Sequence, residues 1–255
     1  MNPLLVCSKS TRKFLPGYDR VRVVTSAPTK DILKEVGTEE NVVAIGGGAV
    51  IDTAKILSKN PIRCYPTTAA GSSSTSWSVY WDGNKKCSLK RMLPSDVILQ
   101  GMFVEDLPDE VIIDTTYDVV SHCLDSMSSI KATEESVAYC KEALQILRTE
   151  KDNFGLIKAG DIAGKAIEIA GTNLLHSLSY PMTGYYGISH GLALGYFLPK
   201  ISKFMGYDVS DIIVATKINL DVDVNFVIKE ALKYKKINEF KLPLNYKILI
   251  GVLND

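Results

Sequence analysis

The sequence predicts a parallel-sheet α/β domain followed by an all-α domain. Before residue 107, short β-branched runs alternate with helical segments and glycine turns, which is the order of elements that builds a parallel sheet. From Pro108 onward, apolar residues recur with the 3.6-residue period of a helix, and strand signals are scarce. We therefore expect an α/β domain in residues 1–107 and a helical domain in residues 108–255. The cleft between two such domains is the default place for a ligand.

The first domain is predicted to contain short strands joined by glycine turns and helices. Strands are expected at 21–24, 41–45, 62–65 and 97–99, and helical segments at 30–36 and 51–57. A hairpin is expected with arms at 77–81 and 87–90, because Asp82-Gly83-Asn84 between them is a turn sequence. On this interpretation only one strand and one short helix precede the strand that runs into Gly46.

The second domain is predicted to consist of helices alone. Long helices are expected at 109–130, 134–149, 153–180 and 190–205, with shorter helices in 207–255 and a break at Pro243. We expect the helix that carries His176 to be interrupted around Pro181 and Gly184, because proline and glycine weaken a helix interior. His190 is expected to open the next helix.

The composition is that of an ordinary globular protein without charge bias. Lys+Arg and Asp+Glu both total 29, so the net charge is zero and the positive surface of a nucleic-acid-binding protein is not expected. No run of about 18 apolar residues occurs, so we expect no membrane-spanning helix. The first ten residues make an unconvincing signal peptide. The five cysteines form no CxxC pair and predict reduced thiols in a cytoplasmic protein.

Asp118, His122, His176 and His190 are the candidate metal ligands. Asp118 and His122 are four residues apart, so a helix places both on one face. Three imidazoles and one carboxylate suit Zn²⁺ or Fe²⁺, whereas Mg²⁺ and Ca²⁺ prefer oxygen ligands. The alternative is three unrelated, hydrogen-bonded histidines, and spacing alone does not decide between the two.

A glycine-rich turn follows a predicted strand and opens a helix. Gly46, Gly47 and Gly48 would let the backbone approach a pyrophosphate, and a helix N-terminus attracts anions. The pattern is neither G-x-G-x-x-G nor a P-loop, so a tight turn without a ligand is an equal alternative. Asp52 is either a ligand contact or a charge favoured in the first helical turn. The hydroxyl-rich loop at 67–76 suits phosphate or ribose contacts, but a solvated linker has the same composition.

Taken in order, these motifs resemble those of the iron-containing (group III) alcohol dehydrogenase family, part of a superfamily with glycerol dehydrogenase and dehydroquinate synthase. The family motif G-G-G-S-x-x-D-x-x-K is similar to residues 46–55, with Ala49 in place of the serine. The family loop P-T-T-A-G-T-G-S-E is similar to residues 66–74. The D-x-x-x-H and H-x(13)-H-G motifs are matched by the four candidate ligands and Gly191. The resemblance covers roughly residues 20–205, and it favours a metal site over unrelated histidines.

This resemblance implies a fold, a reaction and a set of contacts. The fold is dehydroquinate synthase-like, with the metal between an N-terminal nucleotide-binding domain and a C-terminal helical domain. The reaction is NAD(P)H-dependent reduction of an aldehyde, or its reverse, with Fe²⁺ or Zn²⁺ as Lewis acid and NADP(H) or NAD(H) as hydride carrier. The implied cofactor contacts are Gly46, Gly47, Gly48 and Asp52 at the pyrophosphate, Thr67, Thr68 and Ser72 at the phosphate–ribose region, and Lys86 near the nicotinamide ribose.

Some positions depart from the family pattern. Tyr180 stands where the family has a second histidine, so its hydroxyl or a water has to carry the proton; Tyr180 and Lys86 are the candidate catalytic residues. Ser74 replaces the loop glutamate. The family usually has an aspartate after its first strand, which disfavours a 2′-phosphate, whereas residues 24–26 are Val-Thr-Ser here. Without that carboxylate NADP(H) is permitted, and we expect it slightly ahead of NAD(H).

The segment 176–191 is also similar to the branch that reduces phosphonoacetaldehyde to hydroxyethylphosphonate. An anionic substrate needs a cationic partner, and Lys85, Lys90 and Arg91 are candidates, although a solvated hairpin explains each of them. We expect a small-molecule substrate and a homodimer or higher homo-oligomer, with no nucleic-acid or membrane partner.

The α/β domain is short relative to the family, whose members commonly carry more residues before the glycine turn and a longer helical tail. Three possibilities follow: a minimal active reductase, one completed by an oligomeric partner, or a scaffold with reduced cofactor affinity. Two other functions stay open. One is a sugar-phosphate cyclase or lyase of the same superfamily, which uses a glutamate and two histidines as ligands. The other is a non-catalytic metal- or nucleotide-binding module.

Overall fold

The first half of the chain is built on a five-stranded parallel sheet. The computed structural model describes residues 2–213 and 220–254. The sheet has the strand order β2-β1-β3-β4-β7. Its strands are β1 (Leu4–Cys7), β2 (Arg20–Val23), β3 (Val42–Gly46), β4 (Arg63–Pro66) and β7 (Asp96–Val97), and α1 (Gly48–Leu57) connects β3 to β4. A separate antiparallel hairpin joins β5 (Trp77–Asp82) to β6 (Lys85–Lys90), as the sequence predicts.

Strand β1 is the element that the sequence patterns do not reveal. All four of its residues are buried because β1 pairs with β2 on one side and β3 on the other. A central parallel strand is apolar throughout and lacks the polar alternation that identifies a half-exposed strand. The expectation that one strand precedes the strand leading into Gly46 is therefore wrong, since β1 and β2 both precede β3. The residues after the first strand are Ser8, Lys9 and Ser10 rather than residues 24–26.

The connection between β2 and β3 also differs from its prediction. Residues 30–36 were expected to be helical, and they form only a short 3-10 helix, Lys30–Glu35. The segment is confined at both ends, because Thr29 bridges to Trp81 of β5 and Gly37 turns the chain with a φ of +66°. A 3-10 helix is the form usual for such short pieces.

Strands β1 and β3 form the point at which the sheet order reverses. The chain leaves β1 for β2 on one side and leaves β3 for β4 on the other, so the two connections diverge at the carboxyl ends of the strands. Thr11, in the loop after β1, donates a hydrogen bond from its hydroxyl to the carbonyl of Ile45 at 2.7 Å. The glycine turn begins at the end of β3, in the crevice where α/β folds of this kind bind nucleotides.

The second half is helical. Its helices are α2 (Asp109–Met127), α3 (Glu134–Thr149), α4 (Asn153–Ala170), α5 (Leu174–Tyr186), α6 (His190–Phe204), α7 (Val224–Ala231) and α8 (Tyr246–Asn254). Helix α2 packs against α3, α4, α5 and α6 and so lies at the centre of this half. The predicted order of a parallel-sheet part and a helical part is confirmed. All strands of the described residues precede residue 98, and we propose residue 107 as the boundary, giving parts 1–107 and 108–255.

Helix α5 corrects two expectations. The single helix expected at 153–180 is two helices, because the chain turns at Gly171 with a φ of +73°. The expected interruption around Pro181 and Gly184 is wrong, since α5 continues through both. Pro181 loses one helical hydrogen bond, and the burial of the side chains around it, Met182 included, holds the helix together. His190 opens α6 as predicted.

Helix α4 meets the hydroxyl-rich loop 67–76 without a gap. A Cβ at Gly160 would lie 2.7 Å from Ala69 Cα, and a Cβ at Gly164 would lie 2.7 Å from the carbonyl oxygen of Gly71. Both distances are shorter than real side chains tolerate. The two glycines are four residues apart and therefore present one bare helix face to the loop. We call this contact the α4 seam.

Two polar contacts fasten the same seam. Ser74 donates a hydrogen bond from its hydroxyl to the Asp161 carboxylate. Ser76 donates from its hydroxyl to Glu168 Oε1 at 2.7 Å and from its backbone N–H to Glu168 Oε2 at 2.8 Å. Because the loop belongs to the α/β half and α4 to the helical half, these contacts fix how the two halves meet.

We expect Gly160→Ala to destabilise the protein by about 1–3 kcal/mol, because the added methyl group overpacks the α4 seam. Thermal and urea unfolding followed by circular dichroism measure the change. The matched control is Gly251→Ala in α8, where an added Cβ meets nothing within 4 Å. Replacing a glycine by alanine in an open part of a helix raises the free energy of unfolding by up to about 1 kcal/mol. If both variants gained stability, the seam would not be tightly packed.

Candidate metal centre and active site

Helix α2 presents Asp118 and His122 on one buried face. Their exposed fractions are 7% and 5%. His176 lies in the first turn of α5, and His190 is the first residue of α6. The structure therefore brings all four predicted ligands together, from three helices of the helical half.

The four side chains converge on one carboxylate oxygen. Asp118 Oδ1 lies 3.3 Å from His122 Nε2, 3.4 Å from His176 Nε2 and 3.7 Å from His190 Nε2. Donor atoms at roughly 2.0–2.1 Å from a tetrahedral ion are about 3.4 Å from one another. The donor atoms of Asp118, His176 and His190 all lie within 4.8 Å of each other, and His122 joins this group through Asp118. The spacing is that of a ligand set around one ion.

Unsatisfied polar atoms support the same interpretation. Asp118 Oδ1, His176 Nε2 and His122 Nδ1 are buried and make no hydrogen bond of normal geometry with the described residues. A buried polar atom without a partner costs about 1–3 kcal/mol. A cation bound through Oδ1 and Nε2 would remove that cost for two of them. The residues present therefore fit a divalent ion of the borderline kind, Fe²⁺ or Zn²⁺.

Burial controls the charges of this cluster. It lowers the pKa of His122 to about 4, although Asp118 opposes the shift. Burial, together with Lys86, also lowers the pKa of His190 well below its ordinary value. Burial alone would raise the pKa of Asp118, but the three imidazoles, with His122 first, lower it overall. A neutral imidazole and an ionised carboxylate are the forms that bind a metal.

A second carboxylate, Asp125, orients His176. It is fully buried and accepts backbone hydrogen bonds from Asn173 at 2.8 Å, from Leu175 at 2.9 Å and from His176 at 3.2 Å. Its Oδ2 also lies 2.9 Å from His176 Nδ1, which keeps a proton on Nδ1 and leaves Nε2 directed at Asp118. Burial lowers the pKa of His176, but the carboxylates of Asp118 and Asp125, one beside each ring nitrogen, raise it to about 9 overall.

The cluster forms part of the wall of a cavity of about 730 Å³ between the two halves. Of the predicted cofactor contacts, those that line this cavity are Gly48, Asp52, Ser72 and Lys86. Those that lie outside its lining are Gly46, Gly47, Thr67 and Thr68. A smaller cavity of about 250 Å³ is lined by residues 22–29, among others, and Ala27 lines both cavities. The two cavities therefore adjoin.

The glycine turn offers an open helix end. Gly47 precedes α1, and no side chain caps that end. Unpaired N–H groups at a helix N-terminus bind phosphate. Gly47 also allows close packing, since a Cβ there would lie 2.9 Å from Thr68 Oγ1. Thr67 donates its backbone N–H to the carbonyl of Gly46 at 3.1 Å. Thr67 and Thr68 therefore pack against the glycine turn and hold its shape.

Asp52 and Lys55 hold the hydroxyl-rich loop in place. Asp52 accepts a hydrogen bond from Ser72 Oγ at 2.6 Å and lies 3.4 Å from the Lys55 ammonium. Lys55 is 2% exposed and donates to the backbone carbonyls of Ser72 at 2.9 Å, Thr75 at 3.3 Å and Trp77. Burial lowers the pKa of Lys55, and Asp52 opposes that shift. Asp52 therefore has a structural partner in addition to its proposed cofactor contact.

Tyr180 lies against His190 and between two lysines. The rings of Tyr180 and His190 are 5.9 Å apart and nearly parallel. Lys86 Nζ lies 4.5 Å from the Tyr180 ring centre and 3.4 Å from His190 Nε2. Lys236 donates to the Tyr180 hydroxyl at 2.8 Å. Burial raises the pKa of Tyr180, but Lys236 and then Lys86 lower it to about 7 overall.

Asp125 and Lys236 are residues of this site that the sequence motifs do not identify. Asp125 lies three residues after His122 on α2, so its place on the ligand face was a usable signal. Lys236 lies in a short 3-10 helix, Lys235–Glu239, far along the chain from any motif, and no local pattern points to it.

The cations proposed for an anionic substrate lie elsewhere. Lys85, Lys90 and Arg91 do not line the large cavity. Lys90 Nζ lies 5.8 Å from the ring centre of Trp77. Arg91 donates to the backbone carbonyls of the α1 end, one of them that of Ser58 at 2.5 Å. Lys86 is the hairpin lysine that lines the cavity.

Comparison with known proteins identifies the family. The family model for the C-terminal part of Fe-containing alcohol dehydrogenases matches residues 112–239, which include all four predicted ligands. The chain belongs to the Fe-containing alcohol dehydrogenase family. The resemblance to this family that the sequence indicated is therefore confirmed.

The individual relatives of this chain are distant in sequence. The 4-hydroxybutyrate dehydrogenase of Clostridium kluyveri is 26% identical over 212 residues, which cover 68% of this chain and 57% of that protein. The phosphonoacetaldehyde reductase of Streptomyces viridochromogenes is 26% identical over 206 residues, which cover 64% of this chain and 52% of that protein. The chain thus spans about half the length of these curated relatives.

Solved structures share the fold. The sulfoacetaldehyde reductase of Bifidobacterium kashiwanohense, solved in complex with NAD⁺, superposes with a TM-score of 0.79 at 18% identity, covering 99% of this chain and 90% of that one. Across residues 2–213 and 220–254, no helix has the length and apolarity needed to cross a membrane.

We expect Asp125→Asn to weaken metal binding by about 10- to 100-fold, because loss of this carboxylate frees the orientation and the proton of His176. Competition titration of Zn²⁺ against a chelator measures the affinity, with circular dichroism as a check on folding. The control is Asp109→Asn, an exposed aspartate at the start of the same helix. Equal affinity in the Asp125 variant and the unaltered protein would mean that Asp125 only caps α5.

Proposed function

We propose that the protein is a metal-dependent, NAD(P)H-linked oxidoreductase that interconverts a small aldehyde and its primary alcohol. The observation that carries this proposal is that one cavity is lined both by the Asp118 cluster and by Gly48 at the start of α1. A hydride carrier at the glycine turn and a Lewis acid at the histidines would reach the same carbonyl group. Family membership and the reductases and dehydrogenases among the relatives support it.

Asp118, His122, His176 and His190 are the proposed ligands of Fe²⁺ or Zn²⁺. Bound there, the ion would polarise the carbonyl of the aldehyde or lower the pKa of the alcohol. Lys86 would turn away from His190 Nε2, now 3.4 Å from its ammonium, when that nitrogen becomes a ligand. A carboxylate supplied by aspartate, rather than by glutamate, favours the dehydrogenase over a cyclase or lyase of the superfamily.

The nucleotide is proposed to bind from the sheet crevice to the large cavity. The proposed contacts are Gly46, Gly47, Gly48, Asp52, Thr67, Thr68, Ser72 and Lys86. The adjoining cavities leave room for both halves of a dinucleotide. We favour NADP(H) over NAD(H), because the loop after β1 carries Ser8, Lys9 and Ser10 and no carboxylate that would repel a 2′-phosphate.

A bound nicotinamide nucleotide would supply hydride to the carbonyl carbon, and the protein would have to supply a proton to the carbonyl oxygen. Tyr180 is the proposed source of that proton, since its ring lies on His190 and its hydroxyl accepts from Lys236, which leaves the hydroxyl proton free to be donated. Lys86, beside both residues, is proposed to hold the nicotinamide ribose.

The experiment that tests this function starts with calorimetric titration of NADPH and NADH into protein of assayed metal content. We expect micromolar binding, tighter for NADPH, with one divalent ion per chain, and stoichiometric nucleotide consumption when small aldehydes are added. His190→Ala is expected to lose both metal and turnover while it retains its helical circular dichroism. Metal-loaded protein that bound no nicotinamide nucleotide and reduced no aldehyde would contradict the proposal.

A second variant tests the proton route. Tyr180→Phe is expected to lower kcat for an uncharged aldehyde by about 10²- to 10⁴-fold and to change the pH–rate profile, because the proton donor is lost. Tyr185→Phe, in which an exposed tyrosine of the same helix is altered, should behave as the unaltered protein. An unchanged rate and profile for the Tyr180 variant would assign proton transfer to water.

Three finer expectations stay proposals. Phosphonoacetaldehyde is a candidate substrate, supported by the distant reductase relative and by the similarity of segment 176–191. A cytoplasmic location is supported by the five unpaired cysteines. Assembly into a homodimer or larger homo-oligomer stays a prediction that sedimentation can decide.

A further inference from the structure

We propose that Lys236 and Thr172 form an anion subsite in the large cavity, and that the substrate is a short aldehyde with a carboxylate, phosphonate or sulfonate at its far end. The inference rests on the proposed function, because it names the substrate class of that same site. Lys236 and Thr172 both line the cavity that holds the histidine cluster. Neither residue belongs to a sequence motif or to the proposed metal and nucleotide contacts.

The hydrogen bonds of Lys236 leave donors without acceptors. Its ammonium has three N–H groups, of which one is directed at Thr172 Oγ1 at 2.6 Å and one at the Tyr180 hydroxyl at 2.8 Å. The third has no acceptor among residues 2–213 and 220–254. Thr172 Oγ1 accepts from Lys236, so its own hydrogen is also free to donate. An ammonium and a hydroxyl that both offer hydrogens into one cavity suit an anionic group.

The charge of Lys236 is not balanced by a nearby acid. In the described part of the chain, no carboxylate lies within 4.0 Å of the ammonium of Lys236 or of Lys86, whereas Glu239 at the same cavity is paired with Lys131 at 2.6 Å. A partly buried ammonium that is bonded to hydroxyls and not to a carboxylate is stabilised by an incoming anion more than a solvated lysine would be. The Asp118 carboxylate faces the histidines and is the proposed partner of the metal.

Tyr180 sets the length of the substrate. Its ring lies against His190 and His176 at centroid distances of 5.9 and 6.2 Å, and its hydroxyl reaches Lys236. Lys86 and Lys236 stand 4.5 and 4.9 Å from the centre of the same ring. The histidines and Lys236 both lie against Tyr180 and are therefore separated by at most about one tyrosine side chain, so a chain of only a few carbons spans the distance.

The test compares two four-carbon aldehydes, succinate semialdehyde and butanal, which differ in the terminal carboxylate. The measured quantity is the ratio of their kcat/KM values, in which any effect of Lys236 through Tyr180 cancels. We expect the ratio to favour succinate semialdehyde and to fall by about 10- to 100-fold in Lys236→Gln, mainly through KM. Lys236→Arg should restore much of it, and Thr172→Val should show a smaller loss.

The matched control is Lys233→Gln. Lys233 lies three residues before Lys236, is exposed, and is paired with Glu230. Phosphonoacetaldehyde in place of succinate semialdehyde shows whether a phosphonate or a carboxylate is preferred, and a variant-dependent preference for either supports the subsite. A ratio unchanged by Lys236→Gln, with butanal still reduced, would overturn the subsite and leave the proposed function standing.

A binding measurement decides the case in which no aldehyde is reduced. Calorimetric titration of succinate and of phosphonoacetate into the metal-loaded protein needs no turnover. Binding that is lost in Lys236→Gln and kept in Lys233→Gln supports the subsite even if the oxidoreductase proposal fails. Binding that is absent, or equal in all three proteins, overturns it.

Discussion

The bare face of α4 at Gly160 and Gly164 is the constraint on which the rest of the molecule depends. The loop 67–76 rests on that face and, through Thr68, against the glycine turn on its other side. Glycine turn and histidine cluster belong to different halves of the chain, and this loop is the piece that sets the distance between them. A cavity of about 730 Å³, with the start of α1 on one wall and the histidine cluster on another, follows from that contact.

Two buried aspartates on one helix show how surroundings divide similar groups into different roles. Asp118 keeps an oxygen without a hydrogen-bond partner and is surrounded by imidazoles, so it is suited to a cation. Asp125, two turns further along α2, has its oxygens satisfied by three backbone N–H groups and by a histidine, so it is suited to hold geometry. The low-dielectric setting strengthens both effects and makes both charges costly to leave unpaired.

The sequence predicted the features that depend on neighbouring residues in the chain, and it did not predict those that depend on long-range contacts. The Asp118–His122 spacing, the hairpin around Gly83 and the glycine turn each depend on neighbours in the chain and were predicted. Strand β1 was not predicted, because a strand buried on both faces has no alternation of polar and apolar residues. The helix break predicted at Pro181 was wrong, because burial of the surrounding side chains outweighed the loss of one hydrogen bond. Lys236 could not be foreseen, since only the folded tail places it beside Tyr180.

Because α5 runs unbroken, three of its positions are set one helical turn apart along a single rigid rod. His176 faces the cluster, Tyr180 faces the two lysines, and Gly184 lies against the hairpin turn, where a Cβ would sit 3.0 Å from the Asn84 carbonyl carbon. The hairpin that carries Lys86 therefore packs on the same helix that carries His176. Groups from distant parts of the chain are thus positioned by one helix, so a movement of the segment that bears Lys236 would change the width of the cavity while the hairpin backbone and the histidine kept their spacing.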